Sequence, residues 1–361
     1  MKKKILLLFF AASLLCATNV PAAGLRPQKK TASILEIPAQ DPPVRQNIID
    51  SIKTGFFHEN GHTRYYARGV LHTGFLNLDG KKYYFNEEGA LMTGLLKIKD
   101  DFFYFDSQGV MQTGLTKINS KKYCFHEKTG KKIFGAYKIG SHWYYFDDET
   151  GEMTTGFQTK KDGDAVIRTY YNEKGQLKTG AFQASDAAYE ADEKTGQIHS
   201  MKNLAEAVCQ RPELPTGCEI TSWTMMASYA GVDMNKIRAA NLMPASSDPN
   251  QGFVGSPYSS SGGGLVVYPG GLKSITEERL GGFVDMTGCT LDDLREKLWE
   301  RHLVLIWVTR LDGFDSHTVA LTGYDAEGFF FNDPWTGEES WLSEEELTEF
   351  WEGNGRRAMS Y

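Results

Sequence analysis

The sequence is short of cysteine, of excess positive charge and of long apolar runs, and each shortage excludes a class of protein. Five cysteines stand among 361 residues, with no Cys-x-x-Cys or other metal-ligand spacing. That argues against a structural zinc site and against a disulfide scaffold. Acidic residues outnumber basic ones, 46 to 39, for a net charge of −7, and no basic stripe appears. A nucleic-acid partner is therefore not expected. Beyond residue 16 no apolar run is long enough to span a bilayer. Ser259-Ser260-Ser261-Gly262-Gly263-Gly264 lacks the Lys-Ser/Thr pair and following helix of a phosphate loop. No cofactor and no metal are expected.

What is present begins with an export signal. Lys2-Lys3-Lys4 is a basic start, Ile5 to Cys16 an apolar stretch, and Val20-Pro21-Ala22 supplies small residues before a cut. Residues 1–23 read as a signal peptide and 24–50, rich in Pro, Gln and Ala, as a linker. The expected mature protein is secreted and cell-surface or wall-associated, with no membrane segment. Its remaining cysteines are Cys124, Cys209, Cys218 and Cys289. They read either as small buried hydrophobes or as one Cys209–Cys289 bridge with the rest free.

A period then appears. Gly55, Gly74, Gly94, Gly114, Gly135, Gly156 and Gly180 recur at spacings of 19, 20, 20, 21, 21 and 24 residues. Between them lie aromatic strands such as Lys82-Tyr83-Tyr84-Phe85 and Trp143-Tyr144-Tyr145-Phe146, each followed by a Gly turn. Each unit reads as a hairpin that must stack on its neighbours to bury an aromatic face, giving a β-solenoid over 51–183. This segment resembles the choline-binding and glucan-binding repeats of Gram-positive surface proteins. The resemblance implies a cell-wall polysaccharide or glucan partner, bound by aromatic stacking; a plain spacer is the alternative. In choline-binding members Trp follows Thr-Gly and helps cage the quaternary ammonium. Here those positions hold Phe56, Phe75, Leu95, Leu115, Ala136, Phe157 and Ala181, which argues against choline. Residues 184–205 lose the period and read as a second linker.

The chemistry-bearing residues follow, in a domain over 206–361. Cys218 sits in Leu214-Pro215-Thr216-Gly217-Cys218-Glu219, where a turn feeds a helix with Ile220, Trp223, Thr224, Ala227 and Ala230 at helical spacing. Thr216 is the expected N-cap. A thiol at a helix N-terminus is biased towards thiolate. His317 opens an apolar strand, and Asp333 lies sixteen residues on, in Phe331-Asn332-Asp333-Pro334. Cys, His and Asp together are the inventory of a nucleophilic site: attack, proton transfer, and orientation of the imidazole. The Cys218 N–H and the Gln210 side-chain amide are candidate oxyanion donors. His302, at a helix end, reads as a solvent-facing cap. Thr290 and Ser343 open two further helices. The layout is α+β and papain-like.

Residues 206–355 are similar to the bacteriocin-processing, double-glycine peptidase superfamily, in particular its secreted branch without a transporter. The pieces that carry this are Gln210 to Ser222, Gly252 to Tyr258, His317 to Asp325 and Asn332-Asp333-Pro334. The resemblance implies Cys218 as nucleophile, His317 as base, Asp333 as orienting residue and Gln210 as oxyanion donor. It implies a cysteine peptidase acting on a peptide or protein substrate. Two rival readings use the same residues: a catalytically silent surface adhesin, and an acyltransferase.

Overall fold

The computed structural model describes residues 52–163, 165–261 and 265–361. The expected signal peptide and the 24–50 linker lie outside them, as do Gly262 to Gly264. The chain divides into two compact units: the described part of Met1–Gly74 with Phe85–Ala90, and Phe75–Tyr84 with Leu91–Tyr361.

In the first unit, strands Gly55–Glu59 and His62–Ala67 form an antiparallel hairpin. Phe56 and Tyr65 face each other across it, with ring centroids 5.2 Å apart. Both rings lie against the fully buried Phe85.

The second unit continues the same hairpins: Gly94–Ile98 with Asp101–Phe105, Gly114–Ile118 with Lys121–Phe125, Gly135–Ile139 with His142–Phe146, and Gly156–Asp162 with Ala165–Tyr171. The periodic glycines have a structural cause. All seven adopt positive φ, from 66° at Gly180 to 120° at Gly55, a region that L side chains rarely enter. The hairpins are stitched together by the backbone. After each one, an amide donates to a carbonyl of the preceding hairpin: Met111 to Lys82 at 2.7 Å, then Lys132 to Phe102, Met153 to Lys122 and Leu177 to Trp143, each at 2.8 Å. Phe105, Phe125 and Phe146 close the second strands and are fully buried. Each repeat therefore gains its core from a neighbour, as the period predicts.

The expected 184–205 linker is a correction. Its residues lie in a nine-stranded sheet rather than a connecting segment. The strands are β1 (Gly180–Ala184), β2 (Ala187–Ala191), β3 (Ile198–Asn203), β4 (Val284–Asp285), β5 (Val304–Val308), β6 (His317–Tyr324), β7 (Gly328–Asp333), β8 (Glu338–Ser343) and β9 (Ala358–Ser360). The main order is β1-β2-β3-β6-β5-β9-β4, with β7 between β6 and β8. The last repeat hairpin thus runs into the sheet of the following domain. β3 joins β6 through Met201↔Tyr324 and Lys202↔Gly323. Gly323 is required there: a Cβ would sit 2.2 Å from the Met201 carbonyl oxygen. Phe157, Phe182 and Tyr189 pack together, and Phe157 meets Trp299 edge-on at 5.3 Å.

Five helices cover the sheet: α1 (Cys218–Tyr229), α2 (Lys236–Leu242), α3 (Pro269–Leu280), α4 (Leu291–Trp299) and α5 (Glu344–Glu352). Every residue of β5 is buried. Leu305 and Trp307 enter one core with Ile220, Trp223 and Met226 of α1 and Leu272 and Ile275 of α3. Val304, Ile306 and Val308 enter the other, with Leu294 and Leu298 of α4 and Leu347 and Trp351 of α5. A strand covered on both faces has no polar side to alternate with, which is why its sequence reads as one apolar run.

Candidate active site

α1 begins at Cys218 with Gly217 as N-cap and no side-chain cap. The expected cap, Thr216, instead donates its hydroxyl to the Ser256 and Ser259 carbonyls, at 3.2 and 3.1 Å. The helix is fixed to β6 one turn further on, where Ser222 Oγ donates to the Thr318 carbonyl at 2.9 Å. That bond brings the start of α1 against the start of β6, and the Thr318 backbone acts directly on the Cys218 sulfur.

His317 opens β6 and Asp333 closes the neighbouring β7, which turns a separation of sixteen residues into a contact. His317 Nε2 lies 2.7 Å from Asp333 Oδ1, and both side chains are buried. Asp333 Oδ1 also accepts from the Trp335 amide at 2.8 Å. Burial works to raise the Asp333 carboxyl, but hydrogen bonds from His317 and Asp312 prevail and hold it below the usual carboxylate range. With an ionised acceptor beside it, Nε2 is the donor of this bond. Phe314 stacks on the imidazole at 5.0 Å and meets Trp335 edge-on.

Cys218 differs from the sequence expectation of a thiolate. Burial first, then the charge of Glu219 and its hydrogen bond, push the thiol well above its ordinary value. The sulfur donates to Glu219 Oε2 at 3.2 Å; among the described residues it makes no hydrogen bond with His317. The helix terminus alone does not outweigh desolvation and a neighbouring carboxylate.

Gln210 is buried beside this group, and its amide N–H donates to the Pro334 carbonyl at 2.7 Å. Its Nε2 donates to the Pro215 carbonyl at 3.1 Å, leaving Oε1 buried without a partner. The segment is pinned by Lys236, whose Nζ donates to the Cys209 and Gln210 carbonyls at 2.6 and 3.2 Å.

Sequence reasoning overlooked Glu219, Asp312, Phe314, Trp335 and Lys236. Of these only Glu219, next to the candidate nucleophile, carried a local signal. One other expectation is corrected, and the open question of a Cys209–Cys289 bridge is answered. His302 is not a solvent-facing cap: its ring stacks on Tyr361 at 4.2 Å, and burial lowers its basicity. Cys209 and Cys289 are free thiols. Asp312, His317 and Asp333 place ligand-type atoms within 4.8 Å of one another, but His317 and Asp333 already bond each other.

Known proteins share both halves. Residues 197–359 match the Peptidase C39 like family. Residues 112–156 match the choline-binding repeat, and 73–91 and 93–111 match a candidate cell wall binding repeat. The uncharacterised protein YvpB of Bacillus subtilis is 29% identical over 41% of this chain and 70% of its own length. A candidate C39-like peptidase from Bacillus anthracis is 29% identical over 44% of this chain and 94% of its own, with a TM-score of 0.40. Choline binding protein F of Streptococcus pneumoniae is 30% identical over 40% of this chain, with a TM-score of 0.37; the match spans 51% of that chain. The chain thus combines a C39-like peptidase domain with repeats of the choline-binding type.

Proposed function

We propose that the protein is an exported, wall-associated cysteine peptidase that hydrolyses a peptide or amide bond through Cys218, His317 and Asp333. The observation that carries this is the buried His317–Asp333 pair at 2.7 Å, set at the strand ends against which the Cys218 end of α1 is fixed. In this reading the thiol proton passes to the free imidazole nitrogen, giving thiolate and imidazolium. The sulfur attacks the carbonyl carbon, and the oxyanion is met by the Cys218 N–H and the Gln210 amide. The imidazolium protonates the leaving amine; water then releases the acyl group and restores the thiol. Asp333 keeps the imidazole in the required tautomer. The repeats serve as the wall anchor, with exposed Phe75 and Trp143 as stacking surfaces for a polysaccharide or glucan.

The test is alkylation of Cys218 across pH in the purified protein and in His317→Ala. Alkylation in the variant is expected to be slower by about tenfold or more, the usual scale of an acid–base partner. Equal rates throughout would overturn the peptidase reading and leave a wall-binding protein with a silent domain.

A further inference from the structure

Glu219 is a buried acid on the residue after the candidate nucleophile, and both its oxygens are engaged. Oε2 accepts the Cys218 thiol at 3.2 Å, and Oε1 accepts the Val267 amide at 3.2 Å. The side chain is 2% exposed. Val267 is itself held in place, since its carbonyl accepts from Trp307 Nε1 at 2.9 Å. The carboxylate therefore stands on a fixed support and points one oxygen at the sulfur. A buried carboxylate is costly unless it serves its partners, and a well-packed apolar side chain would fill the same space at less cost.

We propose that Glu219 is a positioning residue that holds the Cys218 sulfur as a protonated thiol, unpaired with His317, while the site is empty. This deepens the peptidase reading and rests on Cys218 being its nucleophile. Activation is then a proton transfer that begins with loss of the thiol–carboxylate bond. The S–H bond breaks, an N–H bond forms on the free nitrogen of His317, and the electron pair stays on sulfur. An electrophile seated at the sulfur favours this step, because it consumes the thiolate that Glu219 disfavours. An alkylating reagent does this as well as a substrate carbonyl, so His317 still assists alkylation of the resting thiol. The resting enzyme is a weak nucleophile towards stray electrophiles.

The charges around the pair are few. On α1 the partners are Cys218 and Glu219 themselves. Burial raises the Glu219 carboxyl, and the charge of a protonated His317, on β6, works against that rise. β7 contributes Asp333 across the imidazole, with Asp312 beyond it. The segment entering α3 contributes only the neutral Val267 amide to the carboxylate.

The experiment compares the pH profile of Cys218 alkylation in wild type, Glu219→Gln and His317→Ala. Gln keeps an acceptor for the Val267 amide and removes the negative charge beside the sulfur. The midpoint in Glu219→Gln is expected to fall by about one pH unit or more, a tenfold gain in rate at fixed pH below it. A merely loosened site would raise the plateau rate and leave the midpoint in place. An unmoved midpoint in Glu219→Gln, with His317→Ala slow, overturns the role of Glu219 and leaves the nucleophile standing. An unchanged profile in both variants overturns the nucleophile as well. Should Glu219→Gln fail to fold, thiolate absorbance of wild type against Cys218→Ala decides. Onset above the usual thiol value of about 8.5 supports the proposal, and thiolate present at neutral pH overturns it.

Discussion

At Gly217 a single added methyl group would meet the Leu214 Cβ at 2.7 Å. This glycine is needed for space, because its φ of −105° is open to any residue. It lets the turn pass close under Leu214 and deliver Cys218 as the first residue of α1. Gly217→Ala is expected to displace that residue at a cost of about 1–3 kcal/mol. Slower Cys218 alkylation and a lowered denaturation midpoint check this. Asp312 gives a prediction of opposite character. Its hydrogen bond to Asp333 first, then burial and the Asp333 charge, raise its carboxyl. A raised folded-state value means stability that is present in acid and is lost as pH rises through that value. Asp312→Asn removes this loss while keeping a donor for Asp333. The variant is therefore expected to melt above wild type at neutral pH and level with it in acid; the reverse order would refute the assignment. The place of Cys218 at a helix start and of His317 and Asp333 at strand ends was legible in the sequence, because their neighbours form local patterns. Glu219 and Asp312 were not, because their surroundings come from Val267 and Asp333, 48 and 21 positions away in the sequence.

Among the elements, helix starts were the most legible where the cap and its reciprocal acid lie three residues apart. Thr290 with Asp293 opens α4, and Ser343 with Glu346 opens α5, each as a complete capping box. Thr290→Ala and Ser343→Ala are each expected to cost about 1 kcal/mol in chemical denaturation. Thr216 offered the same pattern, with Glu219 three residues on, but its hydroxyl serves the 256–259 turn and Glu219 is taken by Cys218 and the Val267 amide. The repeat hairpins were legible from their glycines, and their energetics are sequential. Phe105→Ala opens a cavity at a position with no exposure and is expected to cost about 3–5 kcal/mol. The loss should be confined to the array, with the alkylation rate of Cys218 unchanged. β2 escaped notice because the alternation there is carried by alanine, with Ala187 and Ala191 flanking Tyr189, and β3 because its buried positions, Met201 and Asn203, sit among polar residues. Small residues suffice where larger rings, Phe182 and Trp299, fill the space around them.

For the molecule as a whole, the sequence suggested a module, a connector and a second module, whereas the sheet is continuous from β1 to β4. Phe182, Tyr189 and Met201 belong to the same core as Val319 and Leu321 of the His317 strand. A fragment beginning at residue 206 would leave that core open and the Gly323–Tyr324 edge of β6 unpaired. It is expected to melt well below a fragment beginning at residue 180, or to aggregate; equal melting temperatures would show that β1 to β3 are dispensable. Composition alone could not reveal this, since strand pairing between residues over a hundred positions apart leaves no local mark.

The same junction has a mechanical consequence. Load arriving from the N-terminal side would enter the sheet at β1 and pass through β3, which grips β6 through two residue pairs at Gly323 and Tyr324. His317 lies at the opposite end of β6, about 20 Å along the strand, paired with Val308 of β5. Load would peel the far end first. The junction would then act as a fuse, letting the tether yield while the imidazole keeps its register.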